Sequence, residues 1–356
     1  MRDPKQRTGS DLLRGRNVLV TGGTGSIGSE IVRQVLSCQP RVVRILSRDE
    51  HKQYELQHEL REYANVRYLI GDVRSQERLE WAFEDIEIVF HAAAMKHVST
   101  CEYNPWEAIE TNVVGTQNVV KAALRTTSVL RVICISTDKA VAPISVLGAS
   151  KLLSEKVVTR GNFYSTKHKP VFCSVRFGNV INSRGSFTSR VVQQIAHGGP
   201  VTLTDGEMIR FMMSRYDAVR LVLRAAHYSR GGEVFILKMP LIRMGDMVRV
   251  MIDHLAPQYG YRPEQIKIEI VGARLGEKLS ESLLTKEESK RCLETSDMWI
   301  LLPPPREWED GGRQIEPQAY PDAKRFEGDE RLEISMKSCL SPAEIVRQLL
   351  KPADIL

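Results

Sequence analysis

Residues 135–151 read ISTDKAVAPISVLGASK and carry four groups able to move a proton or hold an anion: Thr137, Asp138, Lys139 and Lys151. Asp138 and Lys139 are adjacent, so one short stretch supplies a carboxyl and an amine. A lysine acts as a base only when neutral, so its pKa must fall from about 10.4 towards neutrality. Burial and a neighbouring positive charge both push it down. The alternative is an Asp–Lys ion pair at the surface. Four residues before Lys151 stands Leu147, whose side chain cannot exchange a proton.

A second constellation lies near the start. VLVTGGTGSIGSE places Gly22, Gly25 and Gly28, with Thr24, Ser26 and Ile27 between them, after an apolar run and ahead of a helical pattern. Glycines let backbone N–H groups approach a pyrophosphate, and the helix N-terminus adds partial positive charge. Three glycines alone signal little. Their position directly after a first strand points to a dinucleotide. The second apolar run ends at Ser47-Arg48-Asp49. A carboxylate there would hold the ribose 2′-hydroxyl of NAD, whereas Ser47, Arg48 and Lys52 suit the 2′-phosphate of NADP. NADP is the favoured expectation, with Asp49 on the ribose as the alternative. Asp72 and Val73 are expected at the adenine, and Ala92 and Ala93 let a cofactor lie close. Asn112 is placed to position Lys151 through a water, and Lys151 to hold the nicotinamide ribose.

The elements that position these groups follow from periodicity. Continuous apolar runs at RNVLVTG (16–22), VVRILS (42–47), VRYLIGD (66–72), IEIVFHAAA (86–94), LRVICIST (130–137) and VFCSVRFGN (171–179) alternate with helical patterns. One helix is expected over roughly 105–125. The pattern predicts an α/β fold, a doubly wound parallel sheet covered on both faces. Regularity weakens after residue 180. The expected organisation is a polar tail over 1–14, a Rossmann domain over 15–180, a smaller substrate lobe over 181–300 and an extension over 301–356. Strands of the lobe could return to the main sheet. Residues 303–321 read as an irregular loop, and SPAEIVRQLLK (341–351) as a terminal helix.

In order along the chain stand TGGTGSIGSE, SRDEHKQ, GDVR, HAAAMKHV, EYNPWEAIETNVVGTQNV, STDKAVAP, GASK, VRFGNVINSRGS and GARLGEKLSESL. Together they resemble the inverting UDP-N-acetylglucosamine 4,6-dehydratases of polysaccharide biosynthesis, within the extended short-chain dehydrogenase superfamily. The resemblance spans roughly residues 14–300 and is closest to the soluble branch. It implies oxidation of the sugar at carbon 4, which acidifies the carbon-5 proton, loss of water from carbon 6, and return of hydride to carbon 6. In that scheme Asp138 is the acid, Lys139 the base at carbon 5, and Thr137 lies near the reacting oxygen. Many relatives carry Tyr where Leu147 stands, and other branches carry Met; the carbon-4 proton could then pass through Thr137, Asp138 or a water held by Lys151. The substrate-binding candidates are Lys96, His97, Asn179, Arg184, Arg210, Arg274 and Glu277, since arginine aims several donors at a diphosphate. Two rivals stand beside this reading: a carbon-4 epimerase, which needs the ketone but no elimination pair, and a degenerate nucleotide-binding protein.

Composition narrows the partners. The chain has 356 residues, 42% apolar and 26% charged, and a net charge of +6. That balance suits an ordinary globular protein with a mild preference for anionic ligands. There is no basic block of the kind nucleic-acid arms carry, no signal-peptide core and no run long enough to span a bilayer. Six scattered cysteines and eight histidines show no metal-ligand spacing. The expected protein is cytoplasmic, holds no metal, uses a UDP-N-acetylhexosamine, and forms a homo-oligomer, a dimer or a hexamer.

Overall fold

Each apolar run of the first half becomes a strand whose successive side chains enter different cores. Residues 11–164, 170–272, 275–304, 317–327 and 339–349 are described by the computed structural model. Fifteen strands are described: β1 Asn17–Thr21, β2 Val42–Ser47, β3 Val66–Ile70, β4 Ile88–His91, β5 Arg131–Ile135, β6 Val171–Arg176, β7 Asn179–Val180, β8 Val201–Leu203, β9 Ile209–Met213, β10 Val234–Leu237, β11 Leu241–Arg243, β12 Ile268–Ile270, β13 Cys292–Glu294, β14 Met298–Leu301 and β15 Lys324–Arg325. The longer helices are α1 Ser26–Ser37, α2 Glu50–Glu59, α3 Gln76–Phe83, α4 Gly115–Arg125, α5 Val146–Gly161, α6 Phe187–Ala196, α7 Arg215–Tyr228, α8 Met244–Leu255 and α9 Pro342–Leu349.

Ten strands form one sheet in the order β15-β13-β14-β10-β6-β5-β4-β1-β2-β3. The seven from β3 to β10 pair in parallel, and β14, β13 and β15 add antiparallel to one edge. Val18 and Val20 enter one core with Ile31 and Val35 of α1 and Val219 and Val222 of α7. Leu19 between them enters another with Leu79 of α3 and Val119 and Ala123 of α4. Two buried faces are why these strands read as continuous apolar runs instead of alternating ones. The fold is α/β and Rossmann-like, and its chain order reverses between β1 and β4, where doubly wound sheets open a crevice.

A further buried cluster joins Val191 and Ile195 of α6, Met247 and Met251 of α8 and Ile345 of α9, beside the small sheets β11-β9-β7 and β12-β8. The strands of the 181–300 lobe that could return to the main sheet are β10, β13 and β14, and β15 from the 301–356 extension joins them at the edge. Tyr320 is fully buried, with its hydroxyl on Glu233. The helix expected over 105–125 is present as one continuous run: Pro105–Ala108, a wider π-type turn over Ile109–Val114, then α4, with helical backbone at each junction. Most of the 303–321 loop lies outside the described residues. No described helix is long and apolar enough to cross a membrane.

Candidate active site

The C-terminal ends of β1, β2, β4, β5 and β6 open on one pocket of about 740 Å³. Its wall takes in Gly22, Thr24, Gly25, Ser26, Ile27, Gly28, Ser47, Arg48, Lys52, Asp72, Val73, Ala92, Ala93, Lys96, His97, Thr137, Lys139, Lys151, Asn179 and Arg184 from the sequence candidates, and also Leu147. The glycine turn is built for close approach. Gly22 has φ +66°, and a Cβ there would lie 2.6 Å from the Ala93 nitrogen. A Cβ on Gly28 would lie 2.2 Å from the Gly22 oxygen. Side chains at either position would collide with backbone and force the turn open, and so tight a glycine turn between a strand and a helix fits a dinucleotide.

At the adenine-side edge, Asp49 caps α2, accepting from the Lys52 backbone at 3.0 Å, and also pairs with the Lys52 ammonium. Its carboxylate is therefore committed locally. Arg48 is exposed, 3.4 Å from Asp72, which Arg74 also grips through its backbone and guanidinium. Thr24 and Ser47 share a hydroxyl contact of 2.6 Å.

Opposite this edge the 183–186 segment bridges the pocket. Arg184 donates from its backbone to Ser26 Oγ at 2.9 Å and from its guanidinium to Thr24 O at 3.1 Å. Lys96 Nζ donates to Arg184 O at 2.6 Å, and the His97 ring packs where a Gly185 side chain would stand. Burial, helped by Arg184, lowers the Lys96 pKa; burial, helped by Lys96, lowers that of His97. Arg184, expected on the substrate, thus sits on the glycine turn itself.

Thr137, Asp138 and Lys139 follow β5 directly. Thr137 Oγ1 donates to Asp138 Oδ1 at 2.9 Å, and Lys139 Nζ reaches the same oxygen at 3.0 Å. Asp138 is fully buried, and its Oδ2 has no hydrogen-bond partner. That oxygen lies against Gly178, where a Cβ would come within 3.1 Å of it. Thr137 and Lys139, not Asp138, form the pocket wall. Lys151 comes from α5 and donates to Ile135 O at 2.5 Å; burial depresses its pKa, against the pull of Cys134 and Glu155. Leu147, one turn earlier, packs with Cys101 and Ala108 while facing the pocket.

The structure corrects one expectation about Lys139. Burial does push its pKa down, but Asp138 and a second carboxylate, Glu281, push it up more strongly, and the net shift is upward. Glu281 Oε1 lies 3.6 Å from Lys139 Nζ, with only 4% of its side chain exposed. Nothing in GARLGEKLSESL singled out this residue over its neighbours. It is delivered by a bridge between Ser280 and Ile209 of β9 and by Arg210.

Three other expectations change. Arg210, proposed for substrate, donates to the carbonyls of Ile209, Leu279 and Lys278 and stays off the pocket wall. Asn112, proposed to act on Lys151 through a water, is 1% exposed. Its amide instead ties Met95 (2.8 and 3.2 Å) to Ser150 (3.0 Å). Glu277 is half-buried outside the pocket lining, and Arg274 lies outside the described residues.

Gly148 is a site residue that sequence reasoning passed over. A Cβ there would meet Lys139 O at 2.3 Å and Pro143 Cβ at 2.9 Å. Backbone cannot yield as a side-chain tip can, so Gly148→Ala should displace Lys139. We expect a fall in kcat of roughly 100-fold from a shift on the order of 1 Å, with dinucleotide affinity, measured by titration calorimetry, nearly unchanged.

Comparison with known proteins agrees with this architecture. The model of a family described as polysaccharide biosynthesis protein matches residues 18–303. An uncharacterized membrane protein of Methanocaldococcus jannaschii is 51% identical over 294 residues, covering 83% of this chain and 88% of that protein. The inverting UDP-N-acetylglucosamine 4,6-dehydratase of Campylobacter jejuni is 38% identical over 294 residues, covering 82% and 84%. A UDP-glucose 4-epimerase of Rickettsia bellii is 39% identical over 281 residues, covering 78% and 80%. The X-ray structure of Pen from Bacillus thuringiensis superposes with a TM-score of 0.79 at 45% identity, covering 82% and 89%. The chain therefore belongs to the polysaccharide biosynthesis protein family, among the nucleotide-sugar dehydratases and epimerases of extended short-chain dehydrogenase fold.

Proposed function

We propose that the chain is an NADP-dependent UDP-N-acetylhexosamine 4,6-dehydratase, inverting at carbon 5 and acting on UDP-N-acetylglucosamine. The observation that carries this is the Thr137–Asp138–Lys139 chain at the end of β5. Epimerisation needs only a reversible oxidation at carbon 4. Elimination also needs a base at carbon 5 and an acid for the departing hydroxyl, and an amine beside a carboxyl supplies both. A nicotinamide nucleotide held by the Gly22–Gly28 turn and Lys151 would supply the hydride acceptor for carbon 4 and the hydride donor for carbon 6.

The chain's own groups then account for the protons. Thr137 Oγ1 accepts the proton of the carbon-4 hydroxyl and passes its own to Asp138, to which it already donates. This route does without the residue that Leu147 replaces. Lys139 removes the carbon-5 proton. Asp138 returns its acquired proton through Thr137, which lies on the pocket wall, to the carbon-6 hydroxyl, which leaves as water; a proton from solvent water adds to carbon 5 on the opposite face, and Lys139 releases to solvent the one it took. Preference for NADP is supported by Arg48, which stands exposed at the strand end while Asp49 caps α2 and pairs with Lys52. We place the enzyme in the cytoplasm as a homo-oligomer that supplies a 4-keto-6-deoxy sugar for surface polysaccharide.

Incubation with UDP-N-acetylglucosamine in deuterated water, followed by NMR with NADP and with NAD in parallel, tests this. A 4-keto-6-deoxy product carrying deuterium at carbon 5 is expected, with the faster turnover in NADP. The galacto isomer without deuterium would establish the epimerase instead. Tight dinucleotide binding with no conversion of any UDP-hexosamine would leave a binding protein.

A further inference from the structure

Arg184 reaches the glycine turn from the second half of the chain. It stands between β7 and α6, on a segment with left-handed backbone on either side of it: Asn182 has φ +51° and Gly185 φ +67°. The Ser186 N–H donates to Ser183 O at 2.8 Å, and the Ser186 hydroxyl caps α6 by accepting from the Ser189 N–H at 3.3 Å. The segment is thus held by the helix behind it as well as by its contacts across the pocket. The Arg184 N–H donates at 2.9 Å to Ser26 Oγ, at the first residue of α1, and its guanidinium Nη1 donates at 3.1 Å to Thr24 O. The donors on Nε and Nη2 meet no acceptor among the described residues.

The charge around this segment is unbalanced. Lys96 Nζ donates to Arg184 O at 2.6 Å, which brings an ammonium up to the same place. Burial and then the charge of Arg184 lower the Lys96 pKa, the mark of two cations held near each other. Neither cation is paired with a carboxylate among the described residues. Glu59 lies within electrostatic reach of Arg184, but Arg33 already holds it at 2.6 and 2.9 Å. Cations kept together beside a glycine turn and a helix N-terminus favour an anion there.

We propose that Arg184 is a clamp on the dinucleotide pyrophosphate: it closes over the Gly22–Gly28 turn from the 181–300 lobe and meets the phosphates with the guanidinium donors that the protein leaves unused. Its contacts to Thr24 and Ser26 assign it to this ligand and not to the sugar nucleotide. A planar, forked guanidinium suits two phosphate oxygens at once. The inference rests on the dinucleotide reading of the glycine turn and holds whichever reaction follows. Slow release of the nucleotide costs nothing in a reaction that takes up and returns one hydride in each turnover.

The test measures binding of NADPH and NADH to the full chain by titration calorimetry, and their release by stopped-flow fluorescence. Arg184→Gln keeps a donor for Thr24 O and loses the charge. Arg184→Lys keeps the charge and loses the fork. Arg184 is exposed, so both variants should melt with wild type. In Arg184→Gln the Kd of the preferred dinucleotide should rise about 10–100-fold, the size of a lost charge-assisted hydrogen bond, mostly through faster release. Arg184→Lys should recover part of that loss. Wild-type affinity should weaken more steeply with salt than that of Arg184→Gln, a difference that a loosened loop alone would not produce. The Kd for UDP, measured on protein saturated with dinucleotide, should stay within about threefold. A dinucleotide Kd unchanged in Arg184→Gln would overturn the clamp, and a loss of UDP affinity in its place would return Arg184 to the sugar nucleotide. Wild type that binds neither dinucleotide would remove the reading of the glycine turn and the clamp with it.

Discussion

Replacement of Lys139 by Met should abolish deuterium incorporation at carbon 5, and replacement by Arg should do the same without the accompanying loss of stability. The two variants separate two roles of one side chain. As a base, Lys139 contributes on the order of 10²–10⁴ in rate. Methionine cannot take a proton. Arginine cannot be neutral at any usable pH. Both variants therefore lose the elimination step. As a cation, Lys139 lies 3.0 Å from a carboxylate that is fully buried. Removing one partner of such a pair strands the other and costs about 3–5 kcal/mol.

Lys139→Met should accordingly melt well below wild type. Lys139→Arg keeps the charge beside Asp138 and Glu281 and should melt close to it. Reduction of the bound nucleotide by substrate, followed by absorbance in a single turnover, depends on the carbon-4 step and should persist in the Arg variant. Unchanged dehydration in either variant would remove Lys139 from its role and leave the segment to hold Asp138 in place.

What the sequence showed and what it hid divide along local and distant chemistry. Gly22 and Gly28 were legible because the need for no side chain arises within one turn. Lys151 and Thr137 were legible because strand end and helix start are close in the chain. The carboxylate that decides the charge on Lys139 was not, because Glu281 arrives from far downstream through a bridge between Ser280 and Ile209. Arg210 and Asn112 have the right donors for a ligand. Which acceptors reach them depends on the fold, and both are spent on the chain's own groups. The same limit applies to the sheet. β10 and β14 are apolar runs in a stretch of weak regularity, and only their pairing places β10 beside β6 and β14 beside β10.

An expected effect on stability of the same size belongs to Arg176. It is fully buried at the end of β6. Its guanidinium meets Glu155 of α5 at 2.7 and 3.1 Å, Glu288 at 3.0 and 3.1 Å, and Leu283 O at 2.9 Å. Glu155 in turn accepts from Ser136 at 2.5 Å. One side chain thus joins the helix of Lys151, the end of β5 and the segment just after Glu281. Arg176→Met should cost about 3–5 kcal/mol by leaving two carboxylates without their cation, a fall in Tm of roughly 4–7 °C. The effect should depend on pH with a definite sign. Burial works against the Glu288 anion, but its bonds to Arg176 overcome this and depress the pKa. In wild type that contribution is complete above the unfolded carboxylate value of about 4.3 and fades as pH falls through the folded value. Without Arg176, burial is opposed only by the Thr285 N–H and by Lys156, so the Glu288 pKa rises from its wild-type position and protonation costs the folded chain less. The gap in Tm between wild type and Arg176→Met should narrow as pH is lowered from neutrality towards about 4. A gap that stays constant across that range would show that Arg176 contributes by packing its stem and not by its charge.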